Sequence, residues 1–230
     1  MKNKNKLHSL ILVSVTVILF LVLISATASA STLNVGSTAK YKTIQSAVNA
    51  AKSGDTIKVA SGTYKENVQI AGKKVIIGGT NLPTVNGFSI HATDGPTGFV
   101  GGHNTIYGFK IVKNGVGMSE MGVNTIRNDV FVNCGVGIQG QTCSGNTILN
   151  NKFTNDGIYL YDTQDNAIIG NYISGAPIGL SIGTDATCKT ITKNTFTKCK
   201  IGVQLEYIPS YLTGNHYIKN KVNIKIVPAS

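Results

Sequence analysis

Three aspartates in the second half of the chain have the type and spacing to bind a cation. Asp162 and Asp165 follow the alternating segment 158–161, and Asp185 follows the segment 180–182. Carboxylate oxygens are the ligands that Ca²⁺ prefers. Asp165 and Asp185 each come 19 residues after an asparagine that opens a sequence repeat. Stacked repeats would bring them together, where they repel unless a cation or a water separates them. The sequence predicts either a weak calcium site or, as we prefer, three solvated turn residues.

Tyrosine and amide side chains close to these aspartates are expected on one outward face. Tyr159 and Tyr161 alternate with apolar residues, and Gln139 and Gln141 precede them by one repeat. Gln204 follows two repeats later. Aromatic rings can stack on sugar rings, and amides can hydrogen-bond to sugar hydroxyls. The pattern fits either a carbohydrate contact or, as we prefer for the tyrosines taken alone, an ordinary solvent face in which tyrosine favours the strand.

Signatures of catalysis are missing from the sequence. A lyase acting on uronates needs a base, and the single arginine, Arg127, is expected in a solvated turn. A glycoside hydrolase needs a pair of carboxylates, and no aspartate-rich string provides one. The residue types that bind copper are scattered, at His91, His103, His216, Met118 and Met121. We therefore favour a protein without enzymatic activity.

The spacing of the cysteines argues against a zinc or redox site. Consecutive cysteines are separated by 9, 45 and 11 positions, at Cys134, Cys143, Cys188 and Cys199. No Cys-x-x-Cys pair occurs among them. An oxidising compartment permits two disulfides, whereas buried free thiols act as small apolar side chains. The sequence leaves both states open.

The first thirty residues have the three parts of a secretory signal peptide. Three lysines precede a mostly apolar run, 10–24, and Ala28 and Ala30 form a small-residue cleavage signal. We expect cleavage before Ser31 and a secreted or cell-surface protein whose residues 31–230 contain no membrane span. An uncleaved membrane anchor is the alternative.

The chain carries a net charge of +11, from 21 basic and 10 acidic residues. Removal of the predicted signal peptide leaves 18 basic and 10 acidic residues, or +8. Lys219, Lys221 and Lys225 are expected to deter edge pairing in the last strand, and we expect the remaining charges to be spread thinly over turns. We expect no nucleic-acid partner, because no basic cluster is interleaved with aromatic residues and base readout relies heavily on arginine.

Six repeats of 20 to 23 residues follow one another between positions 104 and 226. They begin at Asn104, Asn124, Asn146, Asn166, Lys189 and Ser210. Two positions later stands an apolar residue: Ile106, Ile126, Ile148, Ile168, Ile191 and Leu212. A second apolar position follows at Ile111, Phe131, Phe153, Ile173, Phe196 and Ile218. Apolar and polar residues then alternate, which is typical of a strand buried on one face.

Polar residues and glycines also recur in these repeats. Before the second apolar position stand Asp129, Asn151, Asn171, Asn194 and Asn215. A glycine or asparagine follows at Gly117, Gly137, Gly157, Gly179, Gly202 and Asn223, and we expect a bend with positive φ there. Stacked repeats would align the asparagines in an internal ladder of side-chain hydrogen bonds.

A repeat of this length with short strands is typical of a solenoid. The Leu-x-x-Leu-x-Leu string of leucine-rich repeats is absent. We therefore predict an all-β fold, a right-handed parallel β-helix of about nine coils over residues 31–230. Residues 43–52 are predicted to form a short helix that caps its N-terminal end, with Thr43 as the N-cap and Gly54 beyond the helix end.

The N-terminal segments support this fold through a family resemblance. The strings YKTIQSAVNAA, GDTI and GTYKENV, at 41–51, 54–57 and 62–68, resemble the opening of pectin-lyase-like right-handed β-helix proteins and of pectin methylesterases. The repeats from Asn104 onward resemble those of NosD-like proteins and of secreted surface proteins. The resemblance covers residues 40–226. It implies the fold but not one function, since the family includes lyases, hydrolases, esterases, epimerases and non-catalytic surface proteins. The strings that carry the two aspartates and the arginine of a methylesterase have no match here.

Together these features predict a secreted or cell-surface protein that binds a polysaccharide or cell-wall glycan without catalysis. Calcium is the one cofactor that the residues indicate. A polysaccharide-active lyase, hydrolase or esterase is the first alternative. The second, which follows from the resemblance, is a NosD-like periplasmic accessory protein that handles a metal or matures a partner.

Overall fold

Coils stacked along one axis form the body of the protein. The structure is a computed structural model that describes residues 29–228, except positions 97, 184 and 207. Residues 31–230 form one compact unit. The predicted signal peptide lies almost wholly outside the described residues, so neither cleavage nor anchoring is tested. Within the described part of the chain, no helix is long and apolar enough to cross a membrane.

Long strands and one short helix form the first coils. In chain order they are β1 (Thr32–Val35), α1 (Ile44–Ala50), β2 (Thr56–Val59), β3 (Thr63–Ala71), β4 (Ile76–Gly79), β5 (Thr84–His91), β6 (Thr93–Gly95), β7 (Gly98–Val100), β8 (Thr105–Tyr107) and β9 (Lys110–Ser119). The strands β6 and β7 form an antiparallel hairpin outside the two main sheets.

Five coils of three strands each follow. These strands are β10 (Thr125–Arg127), β11 (Val130–Val132), β12 (Val136–Gln139), β13 (Thr147–Leu149), β14 (Lys152–Thr154), β15 (Ile158–Tyr161), β16 (Asn166–Ile169), β17 (Tyr172–Ser174), β18 (Ile178–Ile182), β19 (Cys188–Thr192), β20 (Thr195–Thr197), β21 (Ile201–Leu205), β22 (Leu212–Thr213), β23 (His216–Ile218) and β24 (Val222–Ile226).

The strands stack into two parallel sheets. Sheet 1 has nine strands, in the order β1, β2, β4, β8, β10, β13, β16, β19 and β22. The remaining strands of the coils form sheet 2, whose long strands β3, β5 and β9 continue into two columns. One column contains β11, β14, β17, β20 and β23, and the other contains β12, β15, β18, β21 and β24. Sheet 1 has one strand in each coil, so its nine strands correspond to nine coils. This confirms the predicted parallel β-helix.

The predicted apolar columns lie in register inside the solenoid. Fully buried isoleucines face one another on successive strands of sheet 1, at Ile106, Ile126, Ile148, Ile168 and Ile191. On sheet 2 the rings of Phe131 and Phe153 stack with centroids 4.5 Å apart. Burial of each such side chain stabilises the fold by roughly 1.5–3 kcal/mol, so these columns fix the stacking of the coils.

One predicted member of the second apolar column is wrong. Tyr217, and not Ile218, lies opposite Phe196, and the two rings stack at 5.6 Å. Ile218 is 46% exposed. The spacing of five residues between the two inward positions holds in all six coils from Ile106 onward, including the step from Leu212 to Tyr217. The turn geometry therefore selects the inward residue over the more apolar neighbour.

The glycine column also differs from the prediction. Gly137 lies opposite Tyr159, whereas Gly157 stacks between Gly135 and Gly179. None of these stacked glycines has a positive φ. A Cβ at Gly157 would instead overlap the carbonyl oxygen of Gly179 in the next coil. Close approach of two backbones, and not a left-handed bend, requires glycine here.

The helix α1 covers the N-terminal end of the solenoid, as predicted, and is shorter than expected. The Thr43 side chain accepts a hydrogen bond from the backbone N–H of Ser46. The Glu66 carboxylate accepts from the backbone N–H groups of Ile44 and Gln45 at 3.0 and 2.9 Å. The Lys73 ammonium donates to three carbonyls at the other end of the helix, at 2.6–2.9 Å. Opposite charges at the two ends match the helix dipole.

Buried amides form two ladders along the axis, which confirms the predicted asparagine stacking. At each step, the side-chain Oδ1 of one residue accepts a hydrogen bond from the backbone N–H of its counterpart in the preceding coil. Where that counterpart is an asparagine, its Nδ2 donates to the same Oδ1, and these distances are 2.9–3.1 Å. The first ladder contains Asn104, Asn124, Asn146 and Asn166; the second contains Asp129, Asn151, Asn171, Asn194 and Asn215. The first ladder ends because Cys188, and not the predicted Lys189, lies opposite Asn166.

Asp129 supplies a carboxyl group where the later members of the second ladder have an amide. Its Oδ1 accepts from the Phe109 N–H at 2.8 Å, but no donor within the described residues reaches its buried Oδ2. At the equivalent place Asn151 donates to the Ile126 carbonyl and to Asn171 Oδ1, so Oδ2 of Asp129 faces acceptors. Burial raises the pKa of Asp129 to about 8. When Asp129 is protonated, its carboxylic acid can donate a hydrogen bond at the place where the Asn151 amide donates in the next coil.

We expect Gly157→Ala to destabilise the solenoid by about 1–3 kcal/mol, because the added methyl overlaps a backbone carbonyl. Gly137→Ala is the matched control, since a Cβ there meets no atom within 4 Å. Urea unfolding of both variants measures the difference. Equal stability of the two variants would contradict the assignment of the stacked glycine column.

We expect Asp129→Asn to remove a pH dependence of folding. The folded pKa, about 8, lies above the value of about 4 in the unfolded chain. The contribution of protonated Asp129 to the free energy of unfolding is therefore complete below pH 4, and it is lost as the pH rises to 8. The free energy of unfolding of the variant, measured relative to that of the wild type, should rise by up to about 1.4 kcal/mol for each pH unit in this interval. Urea unfolding at about pH 4.5, 6 and 7.5 tests this, and a gap that does not change with pH would contradict it.

Candidate functional site

Outward side chains of β12, β15, β18 and β21 form the candidate binding surface. Tyr159 and Tyr161 are exposed over 37% and 55% of their area. Gln139 lies opposite Tyr161, Ser181 lies opposite Tyr159, and Gln204 lies opposite Ser181. We call these five residues the tyrosine face. The alternation of the sequence correctly placed its tyrosines and Gln139 on neighbouring strands.

Glycines flank both tyrosine rings. Gly137 lies opposite Tyr159 on β12. Gly183 lies beside Tyr161, close enough that a Cβ on this glycine would touch the ring at 3.2 Å. One neighbour of each ring therefore lacks a side chain, which leaves ring surface open to a flat ligand.

A turn aspartate fixes one of the two rings. The Tyr159 hydroxyl donates to Asp156 Oδ1 at 2.8 Å, and the same oxygen accepts from the Gly157 N–H at 2.8 Å. Burial, together with the hydrogen bond and the charge of Asp156, raises the pKa of Tyr159. The phenol therefore stays protonated and its ring is held in place before any ligand arrives. Sequence reasoning missed Asp156 because it lies in a turn, outside the alternating pattern.

The two remaining predicted glutamines lie further from the rings. Gln141 stands in the turn after β12, where its carbonyl accepts from the Ser144 hydroxyl at 2.8 Å. Gln204 is half-buried and is separated from Tyr159 by the strand of Ser181. The structure thus brings together Gln139 and the tyrosines and places the other two amides at the margin.

The three predicted calcium ligands occupy separate turn positions. The backbone N–H of Asp165 faces the Thr187 hydroxyl at 3.4 Å, so the expected stacking of Asp165 on Asp185 is wrong. The reason is the longer turn after β18, which shifts Asp185 away from the start of the next coil. Asp162, Asp165 and Asp185 all have left-handed φ values, of 49 to 56°, which aspartate tolerates in turns.

All four cysteines are free and buried. Cys134 and Cys199 stand three coils apart, about 14 Å at the usual strand spacing, which is too far for a disulfide. Burial raises the pKa of Cys143 to about 11 and that of Cys188 to about 12. These thiols are therefore neutral apolar fillers, the second of the two states that the sequence left open.

Comparison with known families decides the family of the chain. Residues 48–230, well over half of the chain, match the family described as periplasmic copper-binding protein (NosD). The chain belongs to the NosD family. The NosD-like resemblance of the repeats is thereby confirmed.

Two solved structures resemble this NosD-family chain weakly. Both are pectin methylesterase from Aspergillus niger. The deglycosylated form is 14% identical, with 87% of each chain covered and a TM-score of 0.28. The penultimately deglycosylated form is 13% identical, with 85% of this chain and 86% of that chain covered and a TM-score of 0.25. Likeness of this degree carries no argument about activity. No curated protein matches the chain.

The described histidine, cysteine and acidic side chains of this NosD-family protein do not form a cluster that fits a metal ion. Within the described residues, no three side chains of His, Cys, Asp or Glu lie close enough to hold a metal ion. His103 precedes β8 and His216 begins β23, five coils further along the axis. The cysteines are buried neutral thiols, whereas a metal binds the thiolate.

A second surface feature was missed by the sequence reasoning. Four exposed lysines, two in each of the last two coils, line an open surface groove of about 620 Å³ together with the neighbouring turn 175–177. We call it the lysine groove; its lysines are Lys198, Lys200, Lys219 and Lys221. The two Lys-x-Lys strings are 21 residues apart, which equals one repeat. Aligning the charges on the repeat would have revealed the groove.

Proposed function

We propose that this NosD-family protein is an extracytoplasmic, non-catalytic protein that binds polysaccharide on the tyrosine face. The observation that carries the proposal is the pair of outward rings, each with a glycine for one neighbour and one held by Asp156. A ring that is fixed before binding loses less conformational entropy when a sugar stacks on it. The family description supports the location, since it places NosD proteins in the periplasm.

The positions of the charged residues favour binding over catalysis. Arg127, the single arginine, lies on β10 of sheet 1, with its guanidinium 4.3 Å from the centre of the Tyr107 ring. It is thus on a different sheet from the tyrosine face. Asp162 and Asp165 follow β15, but the register separates Asp165 from Asp185. A paired-carboxylate or arginine mechanism at the tyrosine face therefore has no support from these groups.

We expect Tyr159→Ala and Tyr161→Ala each to weaken polysaccharide binding about 5- to 10-fold, because each removes a stacking ring. A panel of soluble neutral and acidic polysaccharides, applied to the purified protein, identifies the polymers that bind. Calorimetry with one of these polymers then compares the variants. Tyr172→Ala is the matched control, since this tyrosine is 45% exposed on β17, outside the tyrosine face.

Three results would overturn the proposal. The first is no binding of any polymer at millimolar sugar concentration. The second is an equal loss in the Tyr172→Ala variant, which would show that the effect is not local. The third is release of reducing ends or of unsaturated product from a bound polymer, which would establish an enzyme.

A further inference from the structure

The positive charge of the solenoid is concentrated at its C-terminal end. Residues 189–230 carry seven lysines and one acidic residue, Glu206, for a net charge of +6. Residues 31–188 carry 11 basic and 9 acidic residues, for a net charge of +2. Stacking of the coils brings lysines that are about 21 positions apart in the sequence onto neighbouring turns.

Four of these lysines form a two-by-two grid along the lysine groove, since the two pairs lie in register on neighbouring coils. Lys198 and Lys200 occupy the turn between β20 and β21, and Lys219 and Lys221 occupy the same turn one coil later. Backbone hydrogen bonds of 2.9 Å, from Lys198 to Ile218 and from Lys221 to Cys199, hold the two turns in register. The coils are about 4.8 Å apart. Like charges at this spacing repel one another unless an anion lies between them.

The residues between the lysines anchor the grid to the core. Cys199 is buried, and its N–H donates to Asn220 Oδ1 at 2.9 Å. The Asn220 amide donates to the Phe196 carbonyl at 2.9 Å. Each middle residue thus turns inward, and the lysines on either side of it remain exposed. The groove is therefore built on a fixed backbone.

Two of the lysines occupy a backbone conformation that lysine disfavours. Lys198 and Lys219 have a φ of 53°. At this position the preceding coils have Asn133, Asn155 and Gly175, the residue types that tolerate positive φ best. Lysine at this position costs stability relative to asparagine or glycine, and Lys193, outside the groove, has a similar φ of 57°. Backbone strain retained in this way is typical of functional positions.

The chemistry of the groove indicates what it binds. No acidic side chain lines it, and its lining includes the apolar Ala176 and Pro177. Lysine ammonium groups attract anions as point charges and lack the planar fork with which arginine binds carboxylate and phosphate groups in two places. Ala176 and Pro177 can contact the C–H face of a sugar ring. One coil before these two residues, the corresponding turn carries Asp156, which holds Tyr159 of the tyrosine face.

We propose that the lysine groove binds the carboxylate groups of an acidic polysaccharide. The inference rests on the proposed function for the polymer class and adds a second surface and a charge requirement. Neutral sugar rings stack on the tyrosine face, and carboxylates of the same chain lie between the lysines of neighbouring coils. Binding of the acidic polymer is then weakened by salt, because the lysines are exposed.

The test compares two polymers with the same backbone, dextran and carboxymethyl-dextran, by calorimetry at low and at physiological ionic strength. The groove variant carries Lys198→Asn, Lys200→Gln, Lys219→Asn and Lys221→Gln. Asparagine occupies the equivalent turn position in earlier coils, so this variant should fold at least as well as the wild type. The matched control removes four exposed lysines elsewhere: Lys65→Gln, Lys110→Gln, Lys113→Gln and Lys152→Gln.

We expect the groove variant to lose about tenfold or more in affinity for carboxymethyl-dextran. Its affinity for dextran should not change, and the control variant should stay within about twofold of the wild type for both polymers. An equal loss in the control variant would overturn the proposal, because the net charge alone would then explain binding. Tighter binding of polyphosphate than of carboxymethyl-dextran would also overturn it, in favour of a phosphate polymer.

Failure of the proposed function gives a different result. If the tyrosine face binds no sugar, Tyr161→Ala leaves both affinities unchanged while the groove variant still loses the acidic polymer. If the lysine groove is not a site, the groove variant and the control variant behave alike while Tyr161→Ala still weakens binding. The two variants therefore separate the two proposals.

Discussion

The stacking of coils requires that each buried polar group find its partner in the neighbouring coil. A buried amide or carbonyl without a partner destabilises the fold by about 1–3 kcal/mol. Asparagine satisfies this condition along the axis because its Oδ1 accepts from the coil before while its Nδ2 donates onward. The two ladders therefore restrict what the inward positions can be. Variation, and with it function, is left to the outward strand positions and to the turns.

This restriction explains which parts of the fold could be predicted. The isoleucine and asparagine columns repeat because a shift of one residue would bury polar side chains, so their pattern is visible in the sequence. Turn lengths are under no such control. The pairing of Asp165 with Asp185 is wrong because the turn after β18 is longer than the turn after β15. The prediction of Ile218 is wrong although its turn keeps the common length, because the inward position holds a tyrosine beside a more apolar neighbour. Gly137 lies two positions beyond the stacked glycine of its coil, Gly135.

The candidate surfaces were predictable to different degrees for the same reason. Alternation along β15 places Tyr159 and Tyr161 outward regardless of the length of the neighbouring turns. The register of Tyr161 with Gln139 follows from the repeat. The contact between Asp156 and Tyr159 depends on how the turn folds back, which no periodic pattern encodes. The lysine groove depends on register between two turns, so it emerges only when the charges are placed on the coils.

Protection of the last sheet edge does not account for the lysine groove. Lysine on an edge strand deters pairing with another chain, and this explains Lys225 on β24. Lys198 and Lys200, however, belong to a coil whose strands β20 and β21 are paired on both sides. No edge exists there to protect, yet this coil has the same lysine pair as the last one. In a solenoid each coil contacts only its neighbours, so repulsion between the pairs stays local and the rest of the core is unaffected. A repeated charge pair that serves no edge is therefore best explained by an anion bound between the two coils.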